Sequence, residues 1–347
     1  MKDVVELNYS ITRKKSPNSG IEILKSILTF LILVYHCTFE NLSDFKILKI
    51  LNAITPFYFS TFFIINFYFT YHIFSSRKIS SIKLRFLRVI IPYITWPLIF
   101  IFINAFSSNK KINMENLLKD LYIQFLIGRR ILYVFWFQFN LIINYLIFSI
   151  ITLIFNKSHL YFFQIIILIA YILEYFGFNE IFLEGYNEDI KRSIGRLLKM
   201  IIFSITGFLL SSIKMLYFLK AHKIKSQFFC FLILALIIYI KIYFLKYHFF
   251  EGIILGLGGV CLLIIFALIP LDKITNISII FLIRLITSYT AGIYYIHIKV
   301  QSYFEDSIFI LRDGSIRGCV LNYFICYCIC FLGMKLLGKT KLKYLFI

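Results

Sequence analysis

The chain has 347 residues, 60% of them hydrophobic and only 16% charged, with a formal net charge of +20. A soluble domain carries about 25% charged residues, and the mean hydropathy here is +0.85, so a water-soluble enzyme built round one core is excluded. A β-barrel is disfavoured too: its strands alternate apolar and polar over about ten residues, whereas the long runs here are apolar on every face.

The first twenty residues are polar and basic, with Arg13, Lys14 and Lys15. No small-residue cleavage site follows the first apolar run, so that run reads as a retained helix and not a signal peptide. Helices are predicted over 21–39, 51–74, 86–106, 131–155, 160–178, 197–218, 228–247, 251–271, 277–298 and 318–337. Each is long enough to cross a ~30 Å hydrocarbon core. The expected fold is an all-α integral membrane protein of about ten transmembrane helices. Residues 1–20 form a tail, 21–338 a single membrane domain and 339–347 a basic C-terminal tail.

Basic residues set the orientation. Arg77, Lys78, Lys83, Arg85 and Arg88 fill the second connection, Lys214, Lys220, Lys223 and Lys225 the sixth, and Lys335, Lys339, Lys341 and Lys343 the C-terminus. With ten spans these share one side with the N-terminal tail, which places both termini in the cytoplasm. The acidic cluster Glu180, Glu184, Glu188 and Asp189 falls on the other side. Residues 107–130 are also basic yet fall outside. Leu117, Leu118, Leu121, Tyr122, Phe125 and Leu126 make a helical apolar stripe there, which predicts a helix lying in the interface. Positive charge placed this way serves topology and lipid headgroups, not nucleic acid.

Gly252, Gly256 and Gly259 recur at helical spacing, as close helix packing requires. The seven cysteines form no CxxC pair and read as packing residues, with no metal site expected.

An ionisable side chain inside a span is costly and points to function. The first span holds Glu22, Lys25 and His36. Eleven positions separate Lys25 from His36. That is about three helical turns and a rise of ~16 Å, so the two share one face. Lysine can snorkel and histidine can serve packing, but imidazole also transfers protons near neutral pH. Arg85 and Arg88, three apart, share a face where the third span begins. Topology alone asks for basic residues at that end, and a phosphate ligand would ask for the same.

In order along the chain, these motifs resemble the membrane acyltransferase family 3. The run IEILKSILTFLILVYH at 21–36 keeps that family's acid, cation and histidine spacing, with Lys25 where an arginine is usual. RFLRVIIPYITWP at 85–97 resembles its R-x-x-R entry to the third helix. FFIINF at 62–67 keeps the double phenylalanine but puts Ile65 and Asn66 at the family's small positions. Trp136–Phe137 and SYTAGIYYIH at 288–297, ending on His297, resemble two later signatures. The likeness covers about residues 21–297.

The resemblance implies acyl transfer, usually of acetyl, from acyl-CoA to a hydroxyl on a cell-surface glycan or lipid-linked oligosaccharide. Lys25, Arg85 and Arg88 would hold the donor phosphates, and His36 would act as general base or carry the acyl group. Glu22 would orient Lys25. Asn66, Trp136, Arg284 and His297 are supporting or acceptor-side candidates. No tightly bound cofactor is expected, and the setting is the inner membrane of a bacterium. The chain shows no fused hydrolase-like domain, so the acceptor would reach the membrane core directly or through a partner. A polytopic polysaccharide flippase, polymerase or export partner is the alternative. A flippase asks for a charged central cavity and a polymerase for a large external loop with arginines, and neither is visible.

Overall fold

The computed structural model describes residues 19–37, 57–108, 114–127, 135–155, 159–175, 188–243, 251–269, 278, 287–304 and 316–345. Within these the chain is helical, with no strand. The helices are α1 (Ser19–Cys37), α2 (Phe57–Ser75), α3 (Ile79–Ser108), α4 (Met114–Ile127), α5 (Trp136–Ile154) and α6 (His159–Tyr175). They continue as α7 (Glu188–Ser212), α8 (Met215–Ala221), α9 (Lys223–Tyr243), α10 (Glu251–Ala267), α11 (Thr290–Phe304) and α12 (Ile316–Leu337). A short 3-10 helix, Lys341–Leu345, closes the chain.

Five described helices are long and apolar enough to cross a membrane: those containing Ile79–Ile103, Trp136–Ile154, Ser193–Ser212, Lys223–Lys241 and Val320–Leu337. His159–Leu173 and Gly252–Ala267 are shorter apolar helices. Each of the ten predicted runs overlaps a helix, but several boundaries move. The third begins at Ile79 rather than at residue 86, and the sixth at Glu188 rather than at residue 197. Both starts were misplaced for one reason. Charged residues read as loop, yet the helices continue through them because neighbouring helices supply partners for the charges. The run predicted to end at 218 breaks at Lys214, whose φ of 50° is left-handed, and α8 follows the break.

Helix α2 is the hub, packing against α1, α3, α5, α7 and α10. Glycine permits two of these approaches. A Cβ on Gly207 of α7 would lie 2.2 Å from the Ile64 carbonyl oxygen, so α2 and α7 meet backbone to backbone. On α10 a Cβ at Gly259 would strike Ile64 and Ser60 at 2.9 Å, and one at Gly258 would strike the Phe57 ring at 2.4 Å. The expected glycine stripe therefore does pack, with Gly256 set against Phe203. Gly258 and Gly207 are additions that the spacing did not single out. Ser60 donates across the same interface to the Leu255 carbonyl, 2.7 Å.

Several hydroxyls inside this apolar bundle are satisfied locally. Thr61, Ser149 and Thr152 each donate to the carbonyl four residues back, at 2.6, 2.7 and 2.7 Å, the usual escape for hydroxyls in a helix. Helix α3 contains Pro92 and Pro97, each of which removes a backbone donor. Beside them the Tyr93 hydroxyl donates to the Gln124 carbonyl of α4, 2.7 Å. The predicted stripe of α4 divides: Phe125 joins the core, while Leu118 and Tyr122 are exposed. Cys230 and Cys261 pack together between α9 and α10 as free thiols, as expected of packing residues.

Candidate functional site

Asn66 stands at the midpoint of α2 and draws two other helices to it. Its Oδ1 accepts from Arg85 Nη2 of α3 at 3.1 Å and from the Tyr145 hydroxyl of α5. Arg85 Nε donates to that same hydroxyl at 2.8 Å, and its Cζ lies 5.6 Å from the Tyr145 ring centroid. Tyr145 is fully buried. Arg85 is half-buried; a cation drawn partly out of water needs partners, and these are neutral: an amide oxygen, a phenol and a ring face. Among the described residues no carboxylate meets Arg85, so the cluster keeps its positive charge. Tyr295 of α11 is close enough to feel Arg85 and Tyr145, and sits beside Gln138.

Lys25 approaches the same stretch of α2 from α1. It pairs with Glu22 at 3.1 Å, the partner expected of it, and its Nζ is 5.7 Å from the Phe69 ring centroid. Phe69 lies one turn from Asn66, so Lys25 and Arg85 reach α2 one turn apart from different neighbours. Arg88, one turn beyond Arg85, is exposed and lies over the Tyr344 ring at 5.6 Å. Lys25 and Arg85 thus reach α2 about one turn apart, and Arg88 follows Arg85 by one turn on α3.

His36 belongs to α1, the helix that also carries Lys25; its side chain lies outside the described residues, as does Arg284. His297 of α11 is fully buried. Its Nδ1 is 2.7 Å from the Tyr294 carbonyl oxygen. A carbonyl only accepts, so Nδ1 carries a proton. Its own carbonyl accepts from Asn322 Nδ2 of α12, 3.3 Å.

Trp136 is buried at the start of α5, not set at a lipid boundary. Its ring meets Phe59 edge-on at 4.6 Å, and the Arg196 guanidinium of α7 lies over it at 4.8 Å. Near by, Lys241 of α9 lies over the Phe57 ring at 5.4 Å. Sequence reasoning passed over Arg196 because residue 197 was taken as the start of the span. It also passed over Asn140 and Asn144. Their side-chain amides donate to the Trp136 and Asn140 carbonyls at 2.7 and 2.8 Å, and each buried Oδ1 has no hydrogen-bond partner among the described residues. A search for ionisable groups does not find amides, although both stand in plain view within an apolar run.

A family model described as an acyltransferase domain matches residues 18–334. No curated protein and no solved structure matches the chain.

Proposed function

The chain belongs to acyltransferase family 3, and from that premise we propose that it moves an acyl group, acetyl by preference, from acyl-CoA to a glycan hydroxyl. The observation that carries the proposal is the half-buried Arg85, which meets no carboxylate among the described residues and is pinned by Asn66 and Tyr145 within a membrane acyltransferase. Hydrogen bonds from a charged donor are stronger than neutral ones and fix direction. A guanidinium held at Nε and Nη2 presents its remaining N–H groups in one orientation, as an oxyanion or a phosphate would need. Lys25, anchored by Glu22, adds charge one turn away.

In this reading the donor's phosphates engage Lys25, Arg85 and Arg88, and its extended arm carries the thioester along α1 toward His36. The His36 imidazole takes the proton of the acceptor hydroxyl. The hydroxyl oxygen attacks the thioester carbonyl, the carbon–sulfur bond breaks, and the thiol leaves with a proton. Both termini lie in the cytoplasm of a bacterial cell, and the glycan enters from the opposite face. Reporter fusions at Lys2 and after Ile347 test that orientation; an external signal from either would reverse it.

The decisive experiment is transfer of labelled acetyl from acetyl-CoA to glycan in membranes containing His36→Gln. Glutamine keeps polarity but takes up no proton. Transfer should fall by roughly 10²–10⁴-fold while donor binding by the same membranes stays unchanged. Transfer at the wild-type rate would remove His36 from the chemistry.

A further inference from the structure

The C-terminal residues do not trail away from the bundle. A Cβ on Gly338 would lie 2.5 Å from the Met334 carbonyl oxygen, so α12 ends where only glycine fits. Thr340 then closes a turn: its hydroxyl donates to the Leu337 carbonyl at 2.8 Å and accepts from the Leu342 N–H at 3.1 Å. The turn sends Lys341–Leu345 back onto α3. There Trp96 Nε1 donates to the Leu345 carbonyl at 3.2 Å. Leu345 is 2% exposed and Tyr344 8%, so the segment is docked.

Docking brings a second cation to Arg88. The Arg88 guanidinium and the Lys343 ammonium each lie 5.6 Å from the centroid of the one Tyr344 ring. Two like charges gathered at one ring repel, and more so at a bundle edge than in bulk water. No acidic side chain nearby in sequence offsets them: neither α3 nor the residues from Ile316 to Ile347 include an aspartate or glutamate. Among the described residues neither cation has a carboxylate partner. A contact with a ring also consumes no hydrogen bond, so the N–H groups of both remain donors. Such a pair, held in place and lacking an acid, is suited to an anion with several acceptor oxygens.

We propose that Lys343 and Arg88 form a phosphate-ester site, completed by the docked C-terminal segment, with Tyr344 as the positioning residue. Resting on the acyl-CoA reading, the phosphate is the donor's, and Arg85 lies one turn further into the bundle. An anionic lipid headgroup carries the same chemistry, so the test separates the two sources.

The full-length protein is reconstituted in vesicles of phosphatidylcholine, with and without phosphatidylglycerol. Binding of labelled coenzyme A and of dephospho-coenzyme A is measured for wild type, Lys343→Gln, Lys343→Arg and Tyr344→Leu. Thermal unfolding confirms that each variant is folded. Lys343→Gln should weaken coenzyme A binding about tenfold and dephospho-coenzyme A binding less. Lys343→Arg should restore it, which a structural role for the tail would not require. If coenzyme A binding is unchanged but retention of phosphatidylglycerol is lost, the site stands with lipid as its phosphate source. If Lys343→Gln and Tyr344→Leu alter neither ligand, the proposal is overturned. Failure of the wild type to bind coenzyme A at all would overturn the donor reading instead, and phosphatidylglycerol retention would then judge the pair by itself.

Discussion

Helix α2 meets cations at two stations and holds them in different ways. At its midpoint Arg85 is bound through two hydrogen bonds, to Asn66 and to Tyr145. At its first turns Arg196 and Lys241 lie over the rings of Trp136 and Phe57. Hydrogen bonds fix both position and direction, whereas attraction to a ring face is broad and worth about 0.5–2 kcal/mol. The midpoint is therefore built to present a charge in one geometry. The first turns are built to accommodate charge within an aromatic wall.

Replacing the pinned cation should have the largest effect. Arg85→Gln removes the charge and should weaken acetyl-CoA binding by about 10–100-fold, measured on membranes with labelled donor. Unaltered donor binding would make the midpoint cluster purely structural.

Asn66 tests the neutrality of the clamp. Asn66→Leu strands Arg85 and should cost about 2–3 kcal/mol, read as earlier thermal unfolding in detergent. Asn66→Asp should keep that stability, because a carboxylate is a better partner. It should nevertheless lose donor binding, because it cancels the charge. Loss of both properties in Asn66→Asp would mean that charge is not what the cluster preserves.

Lys25 lies between the two modes, with one ion pair and one ring contact. Lys25→Arg should equal or exceed wild type in donor affinity, since guanidinium offers a fork to phosphate. Lys25→Gln should fall below it in the same titration, and equal affinity in both variants would leave Lys25 as an anchor. The smallest change is expected at the first turns. Trp136→Phe keeps a ring beneath Arg196 and should cost about 0.5–1 kcal/mol of stability, with donor binding unmoved. A drop in donor affinity there would erase the distinction between the stations.

Most of the helical framework could be read from hydropathy, because a membrane span must be long and continuously apolar. Helix starts were less legible. Arg85 and Arg196 look like loop residues until their partners Asn66 and Trp136 are seen across helix boundaries. The candidate site was half visible. The family resemblance paired Glu22 with Lys25, and the structure forms that ion pair. Tyr145 gave no signal, since one tyrosine among 24 is distinguished only by what it touches. Asn66 was noticed as a departure from a small residue, and its role as the oxygen that holds an arginine required the third dimension. The return of the C-terminus onto Trp96 was hidden by its lysines, which suggested a solvated tail.

The approach at Gly207 has a mechanical consequence. Where Gly207 meets Ile64 the two helices touch through main-chain atoms, so no change of rotamer at that point lets them slide or roll. The pair formed by α2 and α7 behaves as a fixed beam, and Asn66 rides on it. Any movement that admits a substrate must then take place around the beam, in helices such as α9, which packs chiefly on α10. Asn66 thus holds Arg85 from a helix pair locked backbone to backbone.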